Sequence, residues 1–472
     1  MDSRISARSL TAALGGWRSK EPVYEALADG IRLLCLDNRL APRTALPAER
    51  ELAAELRLSR TTVAAAYRSL RDTGHIESVR GSGSVTLPLR RTDPGHRATG
   101  PETIDLQQAS PPAWPGLAGV IAEVATRAAT LVSSVGYDIV GRRGLREAIA
   151  ERYEARGIPT SPDEVMITTG AQSAIHLIAS VMLGRADRVL IETPTYPHAA
   201  DAFRRAGARM VGVPVTTDDG WDLDRAEQAF ARTLPVLAYL MPEFQNPTGR
   251  TMSSSERAVI AAAADRSGTL VIVDDTIADL DIDRVVRSEP FGGEGPVIRL
   301  GSLGKTVWGG LRIGWIRAEA ETIRRLVSAR AVHDLGTPEL EQAVAESLLP
   351  RLDEIAVQRA HLLRQGRDAV TLALRERLPH WRVPVVDGGV SLWVELDAPL
   401  SSGLVMAARA DGLYLSAGSR FAVDGGYDRH LRVPFTAPPE TLVRAVSVLE
   451  RVWPTVQDGA PDALTARFDA MV

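Results

Sequence analysis

The sequence predicts an α/β protein with two unequal parts: a small N-terminal domain of helices with a β-hairpin, and a large domain around a mostly parallel sheet. Three observations support this prediction. Apolar residues recur at helical spacing between residues 21 and 74, and two short strand-like runs follow. From residue 105 onward, strand-like apolar runs alternate with helical, Ala-rich segments. Residues 88–104 are rich in Pro, Gly, Thr and Arg, which is typical of a linker.

Length and composition restrict the classes of protein. The 472 residues, 45% of them hydrophobic, can bury a large core. No run of about 18 apolar residues or secretory signal is present, so a cytoplasmic protein is expected. The single cysteine excludes an intrachain disulfide, and no Cys or His spacing indicates a metal site. A net charge of −4 disfavours nucleic-acid binding by the whole chain, although a small basic domain can be hidden in that sum.

The N-terminal elements follow a recognisable order. The segments EPVYEALADGIRLL, LPAERELAAELRL and SRTTVAAAYRSLRDTG each place apolar residues on one helical face. Ser59 is positioned to cap the third helix and Gly74 to end it. HIESVRGSGSVTL then supplies two strand-like runs around RGSG, which completes a winged helix-turn-helix. The predicted divisions of the chain are an arm at 1–20, this domain at 21–87, a linker at 88–104, the large domain at 105–455 and a tail at 456–472.

A winged helix-turn-helix presents the first turn of its third helix to the DNA major groove. Arginine can contact guanine or phosphate through two N–H groups, whereas hydroxyls and helix-start amides suit phosphate. The candidate DNA contacts are therefore Arg50, Ser59, Arg60, Thr61, Thr62 and Arg80. Spacing alone explains them equally well as solvated arginines and an ordinary helix cap.

The stretch from LPAERELAAELRL to RGSGSVT resembles the DNA-binding domain of GntR-family transcription regulators, with a match over residues 21 to about 87. The resemblance implies the same helical contacts to double-stranded operator DNA, with Arg80 and Gly81 in the wing. Ala64 stands where some family members have another arginine. The affinity or the operator sequence is therefore expected to differ from theirs.

GSLGKTVWGGLR, residues 301–312, contains one of only two lysines among the 55 basic residues of the chain. An ammonium group can lose its proton and become a nucleophile, whereas a guanidinium group cannot. Lys305 follows the strand-like run VIRLGSL inside a Gly-rich turn, so it is a candidate for Schiff-base chemistry. The alternative is an exposed lysine tolerated by chance, with codon bias behind the scarcity of lysine.

Four other motifs at predicted strand ends favour the same chemistry. TTGAQ offers helix-start amides to a phosphate, and ETPTYP offers Tyr196 to stack on a flat ring. QNPTG places the Asn246 amide where it can bond a phenolate oxygen, and TLVIVDDT ends in two carboxylates that can keep a pyridinium nitrogen protonated. Each motif alone is weak, but their combination in an α/β domain indicates one cofactor site.

In the order TTGAQ, PTY, NPTG, DD, GSLGK and LR, the motifs are similar to the fold-type-I, aspartate-aminotransferase superfamily, which binds pyridoxal 5'-phosphate (PLP). The resemblance covers residues 105 to about 455 and implies a Schiff base at Lys305. Asp274 would pair with the pyridine nitrogen, with Asp275 as an alternative. The other implied cofactor contacts are Asn246 and Thr276 at the ring oxygen, Tyr196 on the ring, and Gly170, Ala171, Gln172, Ser302 and Arg312 at the phosphate. Arg432 in HLRVPF would bind a substrate or effector carboxylate, and Tyr137 would reach the phosphate of a partner subunit.

Two positions depart from that family pattern. Gly304 precedes the lysine where a serine is common, and Thr276 lies where related regulators often have tyrosine. Because a lost phenol would alter the chemistry of the bound cofactor, turnover is less well supported than cofactor binding.

The combined architecture resembles the MocR subfamily of bacterial regulators. It implies a cytoplasmic, PLP-dependent transcription regulator that is nucleoid-associated when bound to DNA. The expected assembly is a homodimer, with the helix-turn-helix of one chain near the large domain of the other. The effector would be an amine, an amino acid or PLP itself. Two alternatives remain open: an aminotransferase with an appended DNA-binding domain, and a scaffold that no longer binds PLP.

Overall fold

A computed structural model describes residues 4–15, 17, 22–36, 39–79, 83–87, 103–133, 135–284 and 288–458. The candidate DNA contacts Arg80 and Gly81 lie outside the described residues, as do most of the predicted linker and residues 459–472 of the predicted tail. No helix in the described ranges is long and apolar enough to span a lipid bilayer.

The N-terminal domain contains the predicted three helices and hairpin, preceded by one further helix. Its elements are α1 (Ala7–Leu14), α2 (Val23–Leu36), α3 (Glu49–Leu56), α4 (Arg60–Asp72), β1 (Ile76–Val79) and β2 (Gly83–Thr86). The Ser59 hydroxyl caps α4 by accepting a hydrogen bond from the Thr62 amide at 3.0 Å. The buried Tyr67 donates to the Pro47 carbonyl at 2.9 Å and so ties α4 to the start of α3. β1 and β2 pair antiparallel as the wing.

Helix α1 lies within the segment predicted as an arm without regular structure. Ser6 caps it by accepting a hydrogen bond from the Ser9 amide at 3.0 Å. Leu10 and Leu14, one helical turn apart, are buried in the core of the N-terminal domain. Two leucines in an eight-residue helix give too short a pattern to predict from sequence. Tertiary packing of this face is what stabilises the helix.

The large domain is built on an eight-stranded sheet in the order β4-β11-β10-β9-β8-β5-β6-β7. Its five central strands are parallel, and β11 and β7 are antiparallel to their neighbours. The strands that follow β2 are β3 (Ile104–Asp105), β4 (Val165–Thr168), β5 (Arg188–Thr193), β6 (Arg209–Thr216), β7 (Gly220–Trp221), β8 (Leu237–Leu240), β9 (Leu270–Asp274), β10 (Val297–Ser302), β11 (Gly314–Arg317), β12 (Ser391–Glu395), β13 (Leu413–Tyr414), β14 (Ser416–Ala417) and β15 (His430–Pro434). The apolar runs EVMITTG, RVLIETP, RMVGVPV, PVLAYLMP, TLVIVDD and VIRLGSL, predicted as strands, all belong to this sheet, whereas β7 and β11 were not predicted.

Helices cover both faces of the sheet, as a parallel sheet requires. The helices that follow α4 are α5 (Leu117–Ala125), α6 (Ala128–Leu131), α7 (Arg143–Glu154), α8 (Ala171–Met182), α9 (Pro197–Arg205), α10 (Leu223–Thr233), α11 (Ser254–Ser267), α12 (Ala320–Arg330), α13 (Glu339–Leu348), α14 (Leu352–Arg377), α15 (Ser401–Ala410) and α16 (Pro439–Asp458). Ile191 of β5 packs with residues of α8, α9 and α12, whereas the adjacent Leu190 packs with residues of α10 and α11. This alternation places a hydrophobic core on each side of the sheet.

A smaller antiparallel sheet, in the order β12-β15-β14, packs with α14, α15 and α16 in a third core. Arg432 lies in β15 between the other two strands, opposite Trp393 on β12 and Ser416 on β14. β3 pairs with β13 and so attaches the chain that follows the linker to this part of the protein.

Candidate functional site

The predicted cofactor residues follow the carboxyl ends of neighbouring strands. Lys305 lies in the turn after β10, Asp274 ends β9, and Gly170 follows β4. Tyr196 and Asn246 follow β5 and β8 in the same way. Because the carboxyl ends of parallel strands meet at one edge of a sheet, the fold brings these side chains together.

Lys305 has an environment that favours the neutral amine. Its Nζ donates a hydrogen bond to the Ala109 carbonyl at 2.6 Å. Burial and, to a smaller extent, the positive charge of Arg432 lower the pKa of Lys305 to about 8, against the opposing effect of the Asp274 carboxylate. A lysine with this pKa supplies a usable fraction of nucleophilic amine near neutral pH.

The two adjacent carboxylates at the end of β9 have different partners. Asp274 Oδ1 accepts from the Thr276 amide at 3.0 Å, and Asp274 Oδ2 accepts from the hydroxyl of Tyr239. Asp275 instead forms an ion pair with Arg299 at 3.2 Å. The charge of Asp274 also raises the pKa of Lys305 and of Tyr196, so Asp274 is the carboxylate next to the candidate site.

Tyr239 was not predicted as a site residue. It lies in the buried strand LAYL, where an aromatic residue is usually part of the core. The only sequence signal was a hydroxyl in an otherwise apolar strand, next to the strand that ends in the two aspartates.

The turn between β4 and α8 forms a cradle suited to an anion. Gly170 has φ +83°, and a Cβ there would lie 2.6 Å from Nη2 of Arg312. That nitrogen donates to the Thr169 carbonyl at 2.9 Å, which places a guanidinium group beside the start of α8. Ala171 and Gln172 form the first turn of α8, whose amides and dipole favour phosphate.

The Ser302 hydroxyl shapes the turn that carries Lys305. Its Oγ donates to the Ile313 carbonyl at 3.1 Å and accepts from the Gly304 amide at 3.0 Å. Ser302 and Arg312 lie on either side of the turn that carries Lys305.

Tyr196 and Asn246 carry the polar groups that follow β5 and β8. The Tyr196 hydroxyl and Nδ1 of His198 are hydrogen-bonded at 3.1 Å. Burial and the Asp274 charge raise the pKa of Tyr196 to about 12, so the phenol is neutral. Oδ1 of Asn246 is buried and has no hydrogen-bond partner among the described residues. A buried amide without a partner is suited to a bound ligand.

The buried carboxylate of Glu192 connects the loops that carry Tyr196 and Asn246 through hydrogen bonds. Glu192 accepts from the Trp221 indole at 2.9 Å, the Met241 amide at 3.0 Å and the Gln245 side chain at 3.1 Å. Gln245 also donates to the Pro194 carbonyl at 2.7 Å. Sequence reasoning missed Glu192, because a charged residue within a strand usually indicates exposure.

Arg432 is buried on β15 with one edge of its guanidinium group available. Its Nη2 donates to the Gln107 carbonyl at 2.6 Å, and the guanidinium carbon lies 4.8 Å from the centre of the Phe421 ring. Burial lowers the pKa of Arg432 to about 10, which leaves it charged at neutral pH. Its buried Nε has no acceptor within the described part of the chain. An Nε–Nη2 edge is a two-pronged donor for a carboxylate.

Tyr137 is a predicted cofactor residue that lies at the surface, away from the other candidates. Its side chain is 74% exposed, and in the described ranges it forms no hydrogen bond to another candidate residue. The protein's own fold therefore leaves it available to another molecule.

The candidate DNA contacts form an exposed surface at the start of α4. Arg50, Ser59, Arg60 and Thr61 are exposed, and Thr62 is half-buried. The Ser59 hydroxyl lies 2.7 Å from those of Thr61 and Thr62. Arg60 Nε lies 3.7 Å from Glu49, an exposed pair that leaves the guanidinium group free to reorient.

The geometry fits PLP. The site combines an amine of lowered pKa, a buried carboxylate, a buried amide without a partner, and a helix start beside an arginine. These are the groups needed by an aldehyde, a pyridine nitrogen, a ring oxygen and a phosphate.

Two family models match separate parts of the chain. The family model "Aminotransferase class I and II" matches residues 122–449, and "Bacterial regulatory proteins, gntR family" matches residues 23–85. The 2-aminoadipate transaminase of Thermus thermophilus is 33% identical over 311 residues, which cover 63% of this chain and 77% of the relative. The HTH-type transcriptional regulator YisV of Bacillus subtilis is 29% identical over 412 residues, 80% of this chain and 84% of the relative.

Solved structures show the same large-domain fold. LysN, the α-aminoadipate aminotransferase of Thermus thermophilus in complex with N-(5'-phosphopyridoxyl)-L-leucine, superposes with a TM-score of 0.70 at 29% identity. The match covers 76% of this chain and 93% of LysN. The chain therefore belongs to the aminotransferase class I and II family, as a GntR-type regulator of the MocR type whose aminotransferase-like domain depends on PLP.

Proposed function

We propose that this protein is a cytoplasmic regulator that binds operator DNA on the nucleoid and changes its DNA affinity when an amino compound binds at Lys305 and Arg432. The observation that carries the proposal is the presence of both parts in one chain. An exposed recognition-helix start stands in the N-terminal domain, and the large domain holds a lysine and an arginine close enough that Arg432 lowers the Lys305 pKa. The two cations suit a ligand with an amine and a carboxylate.

We assign the residues as follows. PLP, when bound, supplies an aldehyde that reacts with amines and a ring that withdraws electrons. Lys305 supplies the amine, and Asp274 holds a proton on the pyridine nitrogen. The remaining assignments are Asn246 and Thr276 at the ring oxygen, Tyr196 on the ring face, Gly170, Ala171, Gln172, Ser302 and Arg312 at the phosphate, and Arg432 at the ligand carboxylate. In the DNA-binding domain we assign DNA contacts to Arg50, Ser59, Arg60, Thr61, Thr62, Arg80 and Gly81.

A ligand can change DNA binding only if it binds two arrangements of the protein with different affinities. A ligand at Lys305 and Arg432 contacts both the large sheet and the small sheet, because Lys305 follows β10 and Arg432 lies on β15. Such a ligand stabilises the arrangement of the protein in which Lys305 and Arg432 both contact it. If PLP itself is the effector, the two arrangements are those of the PLP-bound and the PLP-free protein.

Cofactor loading should depend on pH with the lowered pKa of Lys305. The neutral fraction of an amine changes about tenfold per pH unit below its pKa and levels off above it. With a pKa of about 8, the loading rate should rise to pH 8 and flatten beyond it. Stopped-flow absorbance of the cofactor-free protein mixed with PLP measures this rate, and Nα-acetyl-lysine amide is the control. A rate that rises with pH in parallel with the control beyond pH 9 would contradict the lowered pKa.

Catalysis is the second candidate function. The 33% identity to 2-aminoadipate transaminase favours it, and a Lys305 pKa near neutrality lets Nζ take up and return a proton. The test adds L-2-aminoadipate and an excess of 2-oxoglutarate to the PLP-loaded protein and counts the 2-oxoadipate and the glutamate formed per site. A regulator limited to the first half-reaction forms at most one equivalent of 2-oxoadipate and no glutamate, whereas many equivalents of both products would establish an aminotransferase. A scaffold would show no cofactor absorbance at all.

We also propose a homodimer in which Tyr137 reaches the phosphate site of the partner subunit and each helix-turn-helix lies near the partner's large domain. Val135, two residues before Tyr137, is exposed, and so is Val332, two residues after Arg330. The two segments are joined by the hydrogen bond from Arg330 to the Ile139 carbonyl. Exposed apolar residues clustered on a surface are typical of an interface.

The dimer can be tested with charged substitutions. Val332→Asp should convert the protein to monomer in analytical ultracentrifugation and weaken PLP binding. The matched control is Val385→Asp, because Val385 is 83% exposed and Val332 is 90% exposed. A dimer that survives Val332→Asp would argue against this interface.

A further inference from the structure

A short segment of main chain lies across the candidate site, directly after the linker to the DNA-binding domain. We name residues 107–112 the crossing segment. Its carbonyls accept hydrogen bonds from three cationic side chains: Arg432 to Gln107 at 2.6 Å, Lys305 to Ala109 at 2.6 Å, and Arg359 to Pro112 at 3.0 Å. Two of these cations are the groups to which the proposed function assigns ligand binding. The same segment thus bonds to both ends of the ligand site.

The bond between Arg432 and Gln107 lies where a ligand carboxylate would bind. A two-pronged carboxylate at Arg432 uses Nε and one of the two N–H groups of Nη2, and Nη2 also donates to the Gln107 carbonyl. The carboxylate oxygen would therefore lie next to the Gln107 carbonyl oxygen, and a charged acceptor makes the stronger bond to Nη2. Because Arg432 is buried, the charged carboxylate and the negative end of the carbonyl dipole also repel each other with little screening.

The crossing segment is coupled to the DNA-binding domain in two ways. Along the chain, only residues 88–103 separate the end of the wing domain from β3. In space, Ile104 and Leu106 belong to the same buried cluster as Leu33 of α2. The chain just before the crossing segment therefore shares one hydrophobic core with a helix of the DNA-binding domain.

We propose that the crossing segment senses the ligand carboxylate: a carboxylate bound to Arg432 displaces the Gln107 carbonyl and releases the segment that leads to the DNA-binding domain. The effector class is therefore an amino acid, because an amine without a carboxylate leaves the bond between Arg432 and Gln107 intact. This inference rests on the proposed function, which places the ligand at Lys305 and Arg432.

A disulfide can lock the crossing segment in place. Ser110 Oγ lies 3.3 Å from the position that a Cβ would take at Gly309, which is not among the positive-φ glycines. The pair Ser110→Cys and Gly309→Cys should therefore form a cross-link on oxidation. The reduced protein is the matched control. The native Cys35 is buried and its pKa is raised to about 11, so it does not compete.

The experiment titrates PLP-loaded full-length protein with L-leucine and with its decarboxylated analogue 3-methylbutylamine, and follows cofactor absorbance. If L-leucine gives no response, the other standard amino acids are screened, each against its own decarboxylated amine. In the oxidised variant the affinity for the amino acid should fall about tenfold, as for one lost hydrogen bond to a charged group. The affinity for the amine should be unchanged. An equal effect on both ligands, or none on the amino acid, would overturn the inference.

Hydrogen exchange supplies an independent measurement that needs no cross-link. In the unmodified protein, the amino acid should speed amide exchange in the peptide spanning residues 104–112, and the matched amine should not. Equal exchange with both ligands would overturn the inference while leaving the proposed function intact. Absence of any absorbance response to every amino acid in the reduced protein would overturn the proposed function, and the inference with it.

Discussion

The Lys305→Ala variant is expected to carry no covalently bound PLP and to lose the Schiff-base absorbance of the holoprotein. Alanine has no amine, and the only other lysine is Lys20, in the N-terminal arm. Borohydride reduction followed by peptide mass spectrometry should place the phosphopyridoxyl label on the Lys305 peptide of the unmodified protein and on no peptide of the variant.

The same substitution should leave the cofactor-free fold as stable as before. The lowered pKa means that the native state disfavours the Lys305 ammonium relative to the unfolded chain. The sign follows from proton binding: between pH 8 and about 10.5 the unfolded state holds more protons, so this lysine makes stability rise with pH in that window. Removing the lysine removes both the penalty below that window and the pH dependence within it.

Thermal unfolding of the cofactor-free proteins measures the change in stability that Lys305→Ala causes. At pH 7 the melting temperature of Lys305→Ala should equal or exceed that of the unmodified protein. Lys305→Arg is the matched control, because it keeps a cation in the turn but cannot attach the cofactor. An absorbance spectrum that persists in Lys305→Ala would place the attachment elsewhere and refute the assignment.

The side chains of the site were predictable because they lie at strand ends with recognisable motifs. Lys305, Asp274 and Asn246 each follow an apolar run, and parallel strands bring such positions to one edge. The choice between Asp274 and Asp275 needed the structure, because only the strand geometry separates adjacent side chains onto opposite faces.

The remaining contacts had no sequence signature. The Gln107 and Ala109 carbonyls contact the two key cations through the main chain, which any residue type supplies equally. Tyr239 and Glu192 are buried within strands. A tyrosine there usually indicates core packing, and a glutamate in a strand usually indicates an exposed position, so neither residue type indicates function. Each of these groups was identified only by the partner that the folded chain brings next to it.

The Arg60→Ala variant is expected to weaken operator binding while leaving cofactor binding unchanged. Arg60 is the first residue of α4 and is exposed, and its ion pair with Glu49 at 3.7 Å contributes little to the stability of the fold. If the guanidinium group contacts a base, its loss should cost about 1 to 3 kcal/mol of binding free energy and relax specificity at that base pair. If it contacts phosphate, DNA affinity should fall by a similar factor on all sequences. The slope of the logarithm of the binding constant against the logarithm of salt concentration should then decrease in magnitude by about one.

Fluorescence anisotropy on DNA selected by the unmodified protein, at several salt concentrations, distinguishes these cases. The matched control is Arg143→Ala: Arg143 is likewise the first residue of its helix, α7, and pairs with a glutamate, Glu147, at 2.7 Å, but it belongs to the large domain. The control variant should bind DNA as tightly as the unmodified protein. Because α4 and the cofactor site belong to different domains, a loss of PLP binding in Arg60→Ala with unchanged DNA affinity would refute the division of the chain into a DNA-binding part and a ligand-binding part.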